Sequence, residues 1–252
     1  IRLSERDGVA TLTLQRPDVL NALSTQMRAE ILHAVHESEK TARVLVMTGK
    51  GKAFCSGQDL GDGGNAANLD LERTLRDEYV PMLRAIYDCP VPTIAAVNGP
   101  AAGAGANLAL VADVVIATES AYFLQAFTRI GLIPDGGATW LLTRAVGRVR
   151  AMEMMLLAEK IPAPTAFDWG LVTRLVENDA VDATALEIAT KLANGPVRSL
   201  ALIRKAAWSA ADTDFDTALA NERKWQKEAG NTPDFKEGVA AFLEKRAPRF
   251  NG

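Results

Sequence analysis

The segment from Thr93 to Asp113, T-I-A-A-V-N-G-P-A-A-G-A-G-A-N-L-A-L-V-A-D, constrains the fold more than any other stretch of this 252-residue chain. A short apolar strand, Thr93 to Val97, runs into an Asn98-Gly99 turn, and Gly103 and Gly105 then open a helix of very small residues. With no side chain in the way, another backbone or a ligand can approach closely. The first N–H groups of a helix have no partner within it, and the helix dipole adds positive character at that end. An anion, or an oxygen that becomes anionic during a reaction, suits such a place. Tight helix–strand packing is the competing use of the same glycines, and this segment alone leaves both open.

The length allows one large domain, or one domain with an appendage. Hydrophobic residues make up 48% and charged residues 23%, as in an ordinary globular protein, and the net charge of −3 with interspersed signs argues against a nucleic-acid surface. Two cysteines, Cys55 and Cys89, are too few for a disulfide scaffold and point to a reducing, cytoplasmic setting. The longest weakly apolar run, 91–117, is interrupted by Asn98, Gly99, Pro100, Asn107 and Asp113, so no membrane span is expected. No basic-then-apolar leader is present, although the sequence starts at Ile1 rather than Met, which leaves a removed leader open. His33 and His36, the two histidines, flank the apolar stripe Met27, Ile31, Val35 and Ser38 of one expected helix. That placement disfavours a Ser-His-Asp hydrolase and a His/Cys metal site, so no metal is expected.

Along the chain, residues 1–14 read as a hairpin about an Asp7-Gly8 turn, and Ser24 caps a helix reaching about Lys40. A buried-type strand (43–48) leads into the glycine-rich loop 49–57. A polar Gly- and Asn-rich segment (61–68) precedes a helix over about 69–87. The strand 93–97, the Gly103 helix and a strand at 114–118 follow. Strand, loop and helix thus recur at intervals of roughly 40–50 residues, which predicts a repeated β-β-α unit. After a 131–137 loop come helices at 139–146 and 149–157, then helix, strand (171–176) and helix. Residues 1–195 are read as the core, and 196–252 as a helical region with helices at 198–211, 214–228 and 234–245. Its apolar positions Leu200, Ile203, Ala207, Leu219, Trp225, Phe242 and Leu243 exceed the needs of a three-helix unit, which predicts docking on the core or on a neighbouring subunit.

Gly103-Ala104-Gly105 does not make a dinucleotide fingerprint, because Leu108 stands where a third glycine belongs, and no phosphate-binding P-loop occurs. The stretch 54–60 is a second glycine-bearing bend after a buried strand, and two such bends can each offer one backbone N–H to an enolate oxygen. Cys55 and Ser56 have no base nearby in sequence and are poor candidates for nucleophiles. Asp135, among Ile130, Leu132, Ile133, Trp140 and Leu141, reads either as a loop or helix-capping acid or as a general base raised by its apolar surroundings.

Three blocks, F-C-S-G-Q-D-L at 54–60, the 98–113 segment and G-L-I-P-D-G-G-A-T-W-L-L at 131–142, together resemble the enoyl-CoA hydratase/isomerase (crotonase) superfamily. The tail E-G-V-A-A-F-L-E-K-R-A-P-R-F at 237–250 is similar too. The resemblance spans the chain. It implies an α/β crotonase fold, a spiral of ββα units forming two nearly perpendicular sheets, with a C-terminal helical region that assembles trimers or dimers of trimers. It also implies an acyl-CoA substrate, no cofactor beyond the CoA carried by that substrate, and an oxyanion hole from the backbone N–H of Gln58 and Ala104. Hydratases of the superfamily carry two glutamates whose positions are occupied here by Asn107 and Phe127, so ordinary hydration is not expected. Asp135 matches the acid of several isomerases, and the region is most similar to the branch that converts ring-1,2-epoxyphenylacetyl-CoA, with Δ3-to-Δ2 enoyl-CoA isomerisation as related chemistry. Asn107, Phe127, Ile133 and Trp140 are the expected pocket residues, although for Trp140 core packing is the favoured role. Lys52, Ala53, Asp59 and Leu60 are weak candidates for CoA contacts, and for the basic residues Lys50, Lys52, Lys245 and Arg246 solvated surface charge is the alternative. Other readings are a hydratase, an aryl-CoA dehalogenase with Asp135 as nucleophile, and a non-catalytic acyl-CoA- or RNA-binding member.

Overall fold

The computed structural model describes residues 1–62 and 70–250, so 63–69, which hold most of the Gly- and Asn-rich segment and the expected start of the next helix, lie outside the described residues. The strands in chain order are β1 (Arg2–Arg6), β2 (Val9–Leu14), β3 (Val44–Gly49), β4 (Thr93–Val97), β5 (Ala101–Ala102), β6 (Val114–Thr118), β7 (Tyr122–Leu124), β8 (Ile161–Pro162) and β9 (Arg174–Val176). Asp7 and Gly8 both take positive φ (53° and 76°), as a two-residue hairpin turn requires, and β1 pairs antiparallel with β2. The remaining strands of the large sheet add in parallel, in the order β1-β2-β3-β4-β6-β9.

Both faces of this sheet are covered, which is why its central strands are almost unbroken apolar runs. On one face Val44, Val46, Ile94, Ala96 and Ile116 pack against Val181, Ala185 and Ala189 of a long helix, α8 below. On the other, Leu12, Leu45, Met47, Ala95, Val97 and Val115 share the main core with Met27, Ile31, Met82, Ile86 and Leu108. The period-2 alternation of β2 and β3 sorts side chains between the two.

The helices are α1 (Thr25–Ser38), α2 (Leu71–Thr74), α3 (Val80–Asp88), α4 (Ala104–Leu110), α5 (Ala138–Ala145), α6 (Gly147–Leu157), α7 (Ala163–Asp168), α8 (Val181–Ala193), α9 (Val197–Ala210), α10 (Phe215–Gly230) and α11 (Pro233–Glu244). Ser24 caps α1, its hydroxyl accepting from Met27 N at 3.2 Å, and His33 and His36 are exposed on that helix. Between α2 and α3 lies one π turn, Leu75–Tyr79, in which Val80 N donates five residues back to Leu75 O. Pro81 follows with no N–H to give, so the regular ladder cannot be maintained there.

Several short elements were not placed by the residue pattern. β5, β7 and β8 form a second, three-stranded sheet, and residues 126–130 form a 3-10 turn. Strands of two or three residues are too short for alternation to reveal. The expected strand at 171–176 is confined to Arg174–Val176.

The C-terminal helices attach to the core chiefly through α9. Leu202 is buried, and the buried Arg204 donates to the Ile86, Tyr87 and Cys89 carbonyls at 2.8, 2.6 and 2.7 Å while pairing with Asp113 at 2.6 Å. The guanidinium thus satisfies the orphan carbonyls at the C-terminal end of α3, where a cation also suits the helix dipole. Within the chain, Ile203, Leu219, Phe242 and Leu243 stay exposed at 63%, 46%, 82% and 74%, and it is Arg204 and Trp208 that meet the core.

Candidate active site

Two bends of the chain are pressed together by glycines. A Cβ on Gly105 would lie 2.4 Å from the Cys55 carbonyl oxygen, and one on Gly57 would lie 2.7 Å from Ala102 O and 3.4 Å from Ala104 N. Only glycine fits at either place, and Gly57 also has φ +93°. Cys55 and Ala101 form a parallel bridge, with Ala102 N donating to Cys55 O at 2.9 Å. On the other side of the bend, Leu23 N donates to Gly57 O at 2.8 Å and Asp59 N to Leu23 O at 3.2 Å. By strand alternation the N–H of Gln58 therefore faces away from Leu23. Among the described residues nothing accepts from the N–H of Gln58 or of Ala104, the first residue of α4.

A buried arginine fixes the side chain of Gln58. Arg28 is 2% exposed; it donates to Leu23 O at 2.6 Å, to Gln58 Oε1 at 3.0 Å and to Thr25 Oγ1 at 3.0 Å, and its charge is met by Glu78. Tyr79 donates its hydroxyl to the same Gln58 oxygen. A buried guanidinium survives only when its charge and its donors are matched, and here they are. Glu78 and Tyr79 stand on the π turn, so that irregularity delivers both partners to one place. Burial, first, pushes the Tyr79 phenol far above its usual range, and the neighbouring Asp135 carboxylate pushes the same way. Sequence reasoning missed Arg28 and Tyr79. The signal was available: Arg28 lies three, seven and ten residues before Ile31, Val35 and Ser38, on the buried face of α1.

Cys55 is fully buried, its thiol donates to Asn21 O at 3.2 Å, and burial pushes its pKa up to about 12. It is no thiolate nucleophile at neutral pH. The Ser56 hydroxyl donates to Val19 O at 3.2 Å.

Asp135 sits on the loop before α5. Helix α5 takes Gly137 as its N-cap without any side-chain cap bond, so the capping role considered for Asp135 does not occur. Its carboxylate accepts no hydrogen bond from the described residues, and burial alone raises its pKa from 3.8 to about 6. Its main-chain carbonyl, by contrast, is held twice, by Ala138 N at 3.0 Å and by Asn107 Nδ2 at 2.8 Å. Asn107 Oδ1 in turn accepts from Gln125 Nε2 at 2.9 Å. Gln125, a second residue without a sequence signal, is fully buried just after β7. The loop rests on α3 and α4, since a Cβ on Gly136 would meet Leu83 Cδ1 at 3.3 Å and Asn107 Nδ2 at 3.5 Å.

The other expected pocket residues divide. Phe127 is buried, with its Cζ 4.0 Å from a Cβ placed on Gly103, so it lies beside the Ala104 bend. Ile133 is 81% exposed. Trp140 stacks on Trp208 at 5.7 Å and meets Tyr87 edge-on at 6.2 Å. Its ring thus packs between α5, α3 and α9, the favoured of the two roles read from sequence, rather than lining a pocket. Of the CoA candidates, the side chains of Lys52 and Leu60 are exposed. Ala53 is buried with its carbonyl accepting from Asn21 Nδ2 at 2.8 Å, and Asp59 is paired with Arg16 at 2.8 Å, which holds its carboxyl below the usual range.

Comparison with known proteins agrees with this geometry. The family model described as enoyl-CoA hydratase/isomerase matches residues 4–252. A Rhodobacter capsulatus protein named "probable enoyl-CoA hydratase" is 53% identical over 252 residues, covering 100% of this chain and 98% of its own. The 1,2-epoxyphenylacetyl-CoA isomerase of Escherichia coli K12 is 44% identical over 250 residues, covering 97% and 95%. The crystal structure of a "putative enoyl-CoA hydratase" from Streptomyces coelicolor A3(2) superposes with a TM-score of 0.95 at 38% identity, covering 100% of this chain and 94% of that one. With paired glycine bends, a half-buried acid and a likeness that runs the whole length, the chain belongs to the enoyl-CoA hydratase/isomerase family and has the crotonase fold.

Proposed function

We propose that this family member is an acyl-CoA isomerase, acting on 2-(1,2-epoxy-1,2-dihydrophenyl)acetyl-CoA, on Δ3-enoyl-CoA, or on both. The observation that carries the reading is Asp135, a single carboxyl raised to about 6 by burial, combined with the absence of an acid at 107 and 127. Hydration needs one group to orient water and a second to deliver a proton. Asn107 cannot exchange protons at neutral pH, and its amide is already committed to Gln125 and to the Asp135 main chain.

Isomerisation needs one base. The thioester oxygen is held by the N–H groups of Gln58 and Ala104, and each such donor contributes about 3–4 kcal/mol as the oxygen becomes anionic. Asp135 takes the C2 proton, electron density moves into the enolate, and the same carboxyl returns the proton at C4, shifting the double bond from C3 to C2. A midpoint near 6 leaves the carboxylate ionised at neutral pH, yet more basic than a solvated aspartate. On the epoxide the same groups serve, with Asp135 acting at C2 or protonating the ring oxygen. Lys52, Ala53 through its main chain, Asp59 and Leu60 border the CoA in this reading. Assembly through 196–252 into a trimer or a pair of trimers, and a cytoplasmic setting, belong to the proposal. Among the described residues no helix is long and apolar enough to cross a membrane.

The Rhodobacter relative's name favours a second reading, an enoyl-CoA hydratase. A turnover screen against epoxyphenylacetyl-CoA, 3-enoyl-CoA and 2-enoyl-CoA, with Asp135→Asn alongside, separates the two. Isomerase turnover abolished in Asp135→Asn supports the proposal. Hydration of 2-enoyl-CoA as the dominant reaction, or full isomerase activity in Asp135→Asn, overturns it.

A further inference from the structure

We propose that Gln125 is a positioning residue for Asp135: its amide fixes the orientation of Asn107, and Asn107 in turn anchors the main chain of the Asp135 loop. The inference rests on the isomerase reading only in taking Asp135 as the working carboxylate.

The chain of bonds has one possible direction. The Asp135 carbonyl can only accept, so Asn107 must present Nδ2 to it, at 2.8 Å. That leaves Asn107 Oδ1 facing Gln125, which must therefore donate, and Nε2 does so at 2.9 Å. The free end of the chain is then an acceptor, and Gln125 Oε1 is indeed buried without a partner among the described residues. Both amides are fully buried. If Gln125 lost its donor, Asn107 Oδ1 would have no reason to face it. Rotation of that amide would then set oxygen against oxygen at Asp135.

The covalent path explains why this matters. Gln125 follows β7, and residues 125–135 leave the small sheet as a 3-10 turn and a loop before entering α5. Asn107, on the otherwise apolar α4, bridges the two ends of that excursion. The same helix begins at Ala104, one of the proposed oxyanion donors. The Gln125–Asn107 pair therefore fixes the distance between the base and the hole. Leu83 of α3 also packs on the loop, and Tyr79 of the π turn, a phenol that remains neutral across the working pH range, lies close enough to feel the Asp135 charge. Besides Asn107, only Ala138 N, from the same segment, donates to the Asp135 carbonyl among the described residues.

The test uses the full-length protein and two readouts: kinetics on 3-enoyl-CoA, and the titration of the Asp135 carboxyl by carbon-13 NMR, assigned with Asp135→Asn. Gln125→Met keeps the volume and loses the donor. Gln125→Glu keeps the shape and donates only while protonated. The expected result for Gln125→Met is a kcat reduced about 10- to 100-fold, as for a misplacement of about an ångström. KM stays within about twofold, and the Asp135 midpoint falls from about 6 towards the ordinary carboxylate range as the loop admits water. Gln125→Glu should lose activity on ionisation, so that above the Asp135 limb near pH 6 its kcat falls with rising pH while that of the wild type does not. A purely packing role predicts that both variants keep the wild-type kcat and midpoint, and that result overturns the proposal. Should Gln125→Met fail to fold, Asn107→Ser is read in the same two ways. If Asp135→Asn proves fully active, the isomerase reading fails, while the carboxyl titration still decides whether Gln125 positions Asp135.

Discussion

Around Gln58 and Asp135, buried polar groups are matched almost bond for bond, and the elements involved are short. Arg28, Tyr79, Asn107 and Gln125 all lie within one interior, and each holds another residue's amide or carbonyl. In helices α9–α11 the reverse holds. These elements are long and regular, yet one buried guanidinium, Arg204, provides most of their polar attachment, and Phe215, Phe242 and Leu243 stand 77%, 82% and 74% exposed. The contrast shows that the site region was shaped by the need to satisfy backbone groups at fixed places, whereas the tail was shaped by periodicity and a single anchoring point. An apolar surface of this kind on a helical face is the usual mark of an interface.

The largest expected effect tests the site side of that contrast. Asp135→Asn should lower kcat by about 10²- to 10⁴-fold, the range for a lost general base. The same variant should be more stable than the wild type at pH 8, because a carboxyl raised from 3.8 to about 6 makes ionisation in the folded state cost about 3 kcal/mol. The sign follows from the raised pKa: the folded protein binds this proton more tightly, so Asp135 favours folding below pH 3.8 and that contribution is lost as pH rises through 6. Denaturant unfolding at pH 3.5 and pH 8 checks it, and an advantage for Asn at the lower pH would contradict the burial account. In kinetics the same midpoint should appear as an acidic limb near pH 6 in kcat/KM.

On the tail side, Arg204→Met should destabilise the chain by about 3–5 kcal/mol, since it leaves the Asp113 carboxylate without its cation and takes a donor from the carbonyls of Ile86, Tyr87 and Cys89. The kcat per folded molecule should not change. Thermal melts combined with active-site titration read both quantities, and a large kcat loss would show that the tail and the site are coupled rather than separable. Next in size, Ala104→Pro removes the proposed donor at the first position of α4, where proline suits the helix. A 10²- to 10³-fold loss in kcat with an unchanged melting temperature is expected. The smallest effect on the single chain should come from Phe242→Glu: within about 0.5 kcal/mol in stability, as for exposed positions generally. Light scattering should nevertheless show a smaller assembly. If the particle mass is unchanged, this part of the exposed apolar surface is not the interface.

Much of the fold was legible in the sequence for one reason. The hairpin, α1, β3, β4 and the three tail helices are long enough to display a period of 2 or 3.6, and Asp7-Gly8 and Ser24 mark their ends with specific chemistry. β5, β7 and β8 have two or three residues each and show no period, so the second sheet was implied only by the family resemblance and its strands could not be placed. The glycine bends and a lone acid in an apolar loop were local signals, and the family resemblance assigned them to Gln58, Ala104 and Asp135. Arg28, Tyr79 and Gln125 were not found, since each acts through a partner at least 18 residues away. For Trp140 the sequence favoured core packing over a pocket role, and its ring packs against Tyr87 and Trp208.

By itself, then, the sequence determined where the backbone can come close. The glycines at 57 and 105 admit two bends against each other where no larger residue would fit, and Gly103 supplies the positive φ that opens α4. Only the tertiary structure decided what surrounds that approach. It turned Asp135 from a capping acid into a carboxyl with a raised pKa, because desolvation is a property of what packs around a group and not of its neighbours in the chain. It also converted two amides at 107 and 125 into a directed chain of bonds, because a hydrogen bond needs its donor and acceptor brought together in space, and sequence distance does not record that.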